Sequence, residues 1–444
     1  MRAVAKSAQI DQLRVWPSEV FLDPTCLPFS WDLNDTGQFR ARNSGRESAL
    51  GRLVRGPRTV LPFDHAYHPV LAAFSLSWWS VPVKTIERSK LDELWPNLDS
   101  PPSLRALQNG GVLCPLTPGA QHSGYIQVSD ENKYSWTEDS NSIWVDAPGP
   151  PGFSQGPMES DLAKVVENLV HFLDGLFKDH GNLNRDLHLV GTSASASLVA
   201  MLGSAVVKKP QLKINLKGVM MRHGLVGPLS NYQGCLTMAN ERKLLPAGEL
   251  EQMAQDLEAC ETRIAKCNAG GPGGPPELGA CKDATRFCDA ATYVRLKEQG
   301  RSLHDVRART GEDARFFEFK PGPVGSFLNR RDVRTKLGVA KKYFSNNEEV
   351  LDAFNKFTTY DTTSFVVDQL DGGIKVVVLT GHYDYVANAI GNLNWMTGLK
   401  GKDHYGGKLR AVQPKTLKYP LGGVFGTVRE LEFATTGAKI AFIN

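Results

Sequence analysis

Long apolar runs are missing from this chain of 444 residues: no stretch of 18 or more apolar residues occurs, which excludes a membrane-spanning helix on length alone. A strong charge of one sign is also missing. The formal net charge is +4 and the basic residues are scattered, so nothing points to nucleic acid as a partner. The opening stretch Met1 to Asp11 has no apolar central region, so no signal peptide is expected. Internal repeats are missing too, which excludes a solenoid or propeller. Close cysteine pairs of zinc-ribbon type are absent, because six residues separate Cys260 from Cys267 and Cys281 from Cys288, where such sites use two to four. No metal or cofactor is expected.

What is there begins with those cysteines. The chain has seven, four of them in one segment, with Cys26, Cys114 and Cys235 scattered. The clustered spacing favours two disulfides in a loop-rich insertion over free thiols, with connectivity left open. That predicts an oxidising compartment, in tension with the missing signal peptide.

Residues 1–90 carry little periodicity and form a poorly defined N-terminal region. From about residue 140 the pattern sharpens. Ser142 to Asp146 reads as a buried strand closed by a Pro/Gly run. Leu162, Val165, Val166, Leu169, Val170, Leu173, Leu176 and Phe177 then recur at three- and four-residue steps, predicting an amphipathic helix with Ser160 as its N-cap. Leu187 to Val190 reads as a strand, a helix follows through Val206, and Ile214 to Met221 is a further strand. Residues 236–320 break this rhythm around Gly270 to Pro276 and are expected to be an insertion capping the sheet. Ile374 to Leu379 is another β-branched strand. The alternation predicts an α/β fold, a mostly parallel sheet flanked by helices, with residues 91–235 and 321–444 as its core.

Chemistry concentrates at two strand ends. Gly191-Thr192-Ser193 follows an apolar strand and precedes a helix-like segment, the setting in which a serine is held exposed on a sharp turn as a nucleophile. Asp384 follows the strand ending at Leu379, in the loop beyond a strand's carboxyl end, where open α/β sheets place their sites.

From about residue 94 onward the chain resembles the serine carboxypeptidases, a family of α/β-hydrolase fold. Asn132-Lys133-Tyr134-Ser135-Trp136, Ile143-Trp144-Val145-Asp146-Ala147-Pro148 and Gly152-Phe153-Ser154 are similar to the family's Asn-Pro-Tyr-Ser-Trp, Val-Asp-Gln-Pro and Gly-Phe-Ser. Gly191-Thr192-Ser193 falls where the family has Gly-Glu-Ser-Tyr-Ala-Gly. His223-Gly224-Leu225-Val226-Gly227-Pro228 resembles its Asn-Gly-Leu-x-Asp-Pro, and Phe327-Leu328-Asn329 through Val333 its Tyr-Leu-Asn-x-x-x-Val. Gly381-His382-Tyr383-Asp384 with Asn388, Gly391 and Trp395 resembles its acid-bearing block. The cysteine cluster matches a disulfide-bearing insertion of the family.

The resemblance implies Ser-His-Asp acyl transfer that removes the C-terminal residue of a peptide substrate, with Ser193 as nucleophile and Asp384 as acid. It also implies a vacuolar, lysosomal or secreted location. Three functional parts depart from the family pattern. In Gly-Ala-Gly-His-Met-Val-Pro the histidine position aligns with Ile440, which cannot accept a proton. His404 is the only histidine after Asp384, and hydrogen-bond reach weighs against it as a substitute; His188 reads as packed core. The oxyanion-hole glycines correspond to Leu98 and Asp99, leaving the Ala194 N–H as one donor. In the clamp for the substrate carboxylate Asn97 is kept, but the glutamate position holds Thr192. These changes predict lost or weak activity. The alternatives are an active carboxypeptidase or acyltransferase using another base, and a non-catalytic peptide-binding protein.

Overall fold

The computed structural model describes residues 3–6, 31–33, 39–41, 74–79, 141–145, 159–179, 181, 184, 186–309, 328–336, 339–343, 348–418 and 423–444. Its strands are β1 (Ala3–Lys6), β2 (Trp31–Leu33), β3 (Phe39–Ala41), β4 (Phe74–Trp79), β5 (Asn141–Val145), β6 (Asp186–Thr192), β7 (Leu216–Arg222), β8 (Lys375–Leu379), β9 (Lys415–Lys418), β10 (Val424–Glu432) and β11 (Lys439–Ile443). Nine of them form one sheet in the order β1-β5-β4-β6-β7-β8-β11-β10-β9, while β2 and β3 pair separately. The centre is parallel: β6 with β7, β7 with β8, and β8 with β11. Both flanks are antiparallel.

The central strands form because their side chains are buried on both faces. Val376, Val377 and Val378 of β8 are each at most 2% exposed, and β-branched residues suit such a pleated, enclosed surface. Helix α1 (Leu162–Asp179) buries the periodic stripe Leu162, Val165, Val166, Leu169, Val170, Leu173 and Phe177. Its first turn is capped by Asp161, whose Oδ1 accepts the Ala163 N–H at 2.8 Å. Ser160 was the expected cap; the helix starts one residue later, which moves the capping position to Asp161. Helix α2 (Ser195–Val207) is buried along nearly its whole length and packs between α1 and the sheet. Gly203 makes the close approach possible, since a Cβ there would lie 2.5 Å from Gln369 Nε2.

Between β7 and β8 the chain is helical where the sequence suggested a loop-rich segment. Helices α3 (Pro228–Glu241), α4 (Ala247–Cys267) and α5 (Leu278–Asp289) enclose a second apolar core. Two disulfides, Cys260–Cys288 and Cys267–Cys281, join α4 to α5, and all four cysteines are fully buried. This core also takes in Tyr385, next to Asp384 in sequence. Helix α6 (Thr363–Asp371) lies against α2. Helix α7 (Ala389–Gly398) then packs on α3 through buried asparagines. Asn388 Nδ2 donates to the Asn231 carbonyl at 2.9 Å and Asn388 Oδ1 accepts the Gly391 N–H at 2.7 Å. Helix α8 (Tyr405–Ala411) follows, with Tyr405 stacked edge-on against Phe433 at 4.8 Å.

Candidate active site

The turn after β6 is tight because Gly191 permits it. A Cβ at that position would lie 2.2 Å from the Ser195 carbonyl oxygen. Ser193 follows with φ 57°, in the left-handed region that non-glycine residues rarely occupy, and Ala194 returns to helical geometry as the N-cap of α2. The turn is pinned to the next strand by the Ser193 N–H, which donates to the Arg222 carbonyl at 2.9 Å. Among the described residues neither the Ser193 hydroxyl nor the Ala194 N–H has a hydrogen-bond partner. The Ala194 N–H therefore opens a helix N-terminus, where the dipole favours developing negative charge. Thr192 is buried at 5% exposure.

Asp384 stands at the same edge of the sheet, past the end of β8. Its Oδ1 accepts the N–H groups of Val386 at 3.0 Å and Ala387 at 3.1 Å. Its Oδ2 lies 3.2 Å from Nδ1 of His223. His223 follows β7, again with a left-handed φ of 45°, and its N–H donates to the Leu379 carbonyl at 2.7 Å. In the sequence His223 stands out only as part of the block that resembles the family's Asn-Gly-Leu-x-Asp-Pro. The signal for it was present: a histidine past the carboxyl end of an apolar strand and just before a glycine. Gly224 is needed there, because a Cβ would lie 2.5 Å from Ala196 Cβ.

Other expected positions fall elsewhere. Ile440, aligned in sequence with the family's histidine, lies mid-strand in β11, fully buried and paired with Val376 of β8. Its register puts it three pairs short of Leu379, whose partner is Ile443, so it faces the core and does not meet Asp384. Asn444 is the β11-side residue that reaches the edge, its Nδ2 3.3 Å from Nδ1 of His382. Burial and the nearby Arg242 guanidinium hold the His382 imidazole below its ordinary pKa. His404 is exposed at the N-cap of α8 and makes no contact with Asp384 among the described residues. His188 packs against Gly218, and burial lowers its pKa to about 4. Asn97 and Leu98 lie outside the described residues. Among the described residues no group of three or more His, Cys, Asp or Glu side chains could hold a metal ion, and no helix is long and apolar enough to cross a membrane.

The geometry is thus a strained serine on a strand-to-helix elbow and an oriented carboxylate two strands away. Comparison with known proteins decides whose geometry it is. The profile of the serine carboxypeptidase family matches residues 111–438. The chain belongs to the serine carboxypeptidase family. It is 29% identical over 276 residues to serine carboxypeptidase-like 47 of Arabidopsis thaliana, covering 60% of this chain and 53% of that protein. It is 26% identical over 285 residues to carboxypeptidase Y of Saccharomyces cerevisiae, covering 61% and 52%. The chain therefore spans about half the length of the curated relatives it matches. The solved structure of Kex1Δp, a prohormone-processing carboxypeptidase from Saccharomyces cerevisiae, superposes with a TM-score of 0.53 at 16% identity, over 70% of each chain. That likeness shows the family's α/β-hydrolase fold.

Proposed function

We propose that this chain carries a serine-type acyl-transfer site directed at the C-terminal residue of peptides and working well below the family's usual rate. Ser193 is the nucleophile, Asp384 the acid and the Ala194 N–H an oxyanion donor. The observation that carries this reading is the left-handed Ser193 elbow, with the unpartnered Ala194 N–H beside it among the described residues and Asp384 on the same sheet edge. The weakness follows from the clamp and the oxyanion hole. Threonine at position 192 cannot share a proton with a substrate carboxylate as glutamate can, and loss of one oxyanion donor costs about 100- to 1,000-fold in rate. The disulfide-bearing helices between β7 and β8 act as a cap on the sheet, and their disulfides suit an oxidising compartment.

The test uses a fluorophosphonate probe and a blocked dipeptide. The wild-type chain is expected to be labelled on Ser193 and to release the dipeptide's C-terminal residue slowly, with both lost in Ser193→Ala. A wild-type chain that stays unlabelled overturns the reading. If such a chain still binds the dipeptide by calorimetry, it is a non-catalytic binding protein.

A further inference from the structure

We propose that His223 is the general base of this site, standing two strands away from β11, where the family's histidine position falls; the inference rests on the acyl-transfer reading above. Strands β6, β7 and β8 are neighbours and parallel, so their carboxyl ends present Ser193, His223 and Asp384 side by side in that order. Register fixes the alignment. Thr192 pairs with Arg222, and Arg222 pairs with Leu379. The backbone bonds Ser193 N–H to Arg222 O and His223 N–H to Leu379 O continue the ladder one step past the strands. Adjacent strands are about 4.8 Å apart, so His223 occupies the gap between nucleophile and acid.

The imidazole is oriented for the task. Asp384 Oδ1 is held by two backbone N–H groups, which turns Oδ2 toward His223 Nδ1. An ionised carboxylate only accepts hydrogen bonds, so a neutral imidazole facing it carries its proton on Nδ1 and offers the lone pair of Nε2. Nε2 has no hydrogen-bond partner among the described residues, and the side chain is 29% exposed, open to an incoming substrate. The ring stands beside Gly381, where a Cβ would meet Cε1 at an ordinary contact distance of 3.4 Å. Of the five left-handed non-glycine residues among the described residues, two, Ser193 and His223, stand together at this edge. Paired strain of this kind persists where surrounding structure holds it, and it clusters at functional sites. In free enzymes the serine–imidazole bond often tightens only when substrate binds.

The step balances. Ser193 Oγ bonds to the scissile carbonyl carbon while its proton passes to His223 Nε2. The carbon–nitrogen bond then breaks, and Nε2–H protonates the departing amine of the C-terminal residue. Water attacks the acyl carbon, gives its proton to Nε2, and Ser193 leaves as the hydroxyl, regaining that proton.

The experiment is the rate of fluorophosphonate labelling as a function of pH for the full chain. His223→Asn restores the residue of the family motif and tolerates the left-handed backbone. It is expected to slow labelling at least ~100-fold and to abolish the pH dependence of the wild-type rate. His223→Gly is also suited to that backbone, and added imidazole is expected to restore its labelling. Wild-type labelling rates and pH profile in both variants, with Ser193 still the labelled residue, would overturn the role of His223 and leave the acyl-transfer reading standing. A wild-type chain not labelled at all overturns both.

Discussion

Gly191 and Ser193 show how closely this turn is specified residue by residue. The chain must reverse from strand to helix with no side chain at 191, and must hold a left-handed serine two residues later. Gly191→Ala is expected to cost about 1–3 kcal/mol in urea unfolding, because the new Cβ overlaps the Ser195 carbonyl. An unchanged midpoint would contradict the turn geometry. Asp384 is a second single-residue test. Its Oδ1 is held by backbone donors and its Oδ2 faces His223. Asp384→Asn keeps the shape but substitutes a neutral amide for the charge that stabilises an imidazolium. Labelling of Ser193 is expected to slow at least ~100-fold, with thermal unfolding little changed. Equal labelling rates would remove Asp384 from the site.

At the scale of elements, the helices between β7 and β8 carry their own titratable buried group. Asp289 on α5 accepts a hydrogen bond from the Tyr232 hydroxyl at 2.7 Å, and burial pushes its carboxyl up to about 7. In the unfolded chain the same carboxyl ionises near the usual value of about 3.9. Between those limits the folded form binds more protons, so its contribution to stability is full at low pH and is lost as pH rises toward 7. Asp289→Asn is therefore expected to raise the melting temperature at pH 8 and leave it nearly unchanged at pH 4. A lowered melting temperature at pH 8 would mean that the fold stabilises the ionised carboxylate. The disulfides act on the same pair of helices. Removing Cys267–Cys281, which spans 14 residues, through the double change to alanine is expected to cost about 3 kcal/mol in denaturant unfolding. The seven-residue spacing within each cysteine pair is two helical turns, so Cys260 and Cys267 share a face of α4, as Cys281 and Cys288 share a face of α5. Antiparallel packing of those faces pairs 260 with 288 and 267 with 281. Spacing was legible in the sequence; pairing was not, because four cysteines allow three connectivities and only the helices select one.

For the whole molecule, the centre of the sheet was readable because its strands are apolar on both faces and end in small or polar residues. Leu187 to Val190 and Ile374 to Leu379 announce themselves, and α1 does so by its period. The antiparallel end was less legible. Leu431 to Ile440 looks like one motif in sequence, yet it is the close of β10, a turn through Gly437 with φ 71°, and the start of β11. Splitting that run moved Ile440 from the catalytic edge into the core. His223 escaped notice for a related reason: its neighbour Asp384 is 161 residues away in sequence, and only the adjacency of β7 and β8 joins them.

The most direct measurement is the mass of the intact chain after brief exposure to an activated ester of a blocked amino acid, followed by peptide mapping. The account predicts one acyl group per chain, attached to Ser193 and released by water over time. An unmodified chain, or an acyl group on any other residue, would contradict it.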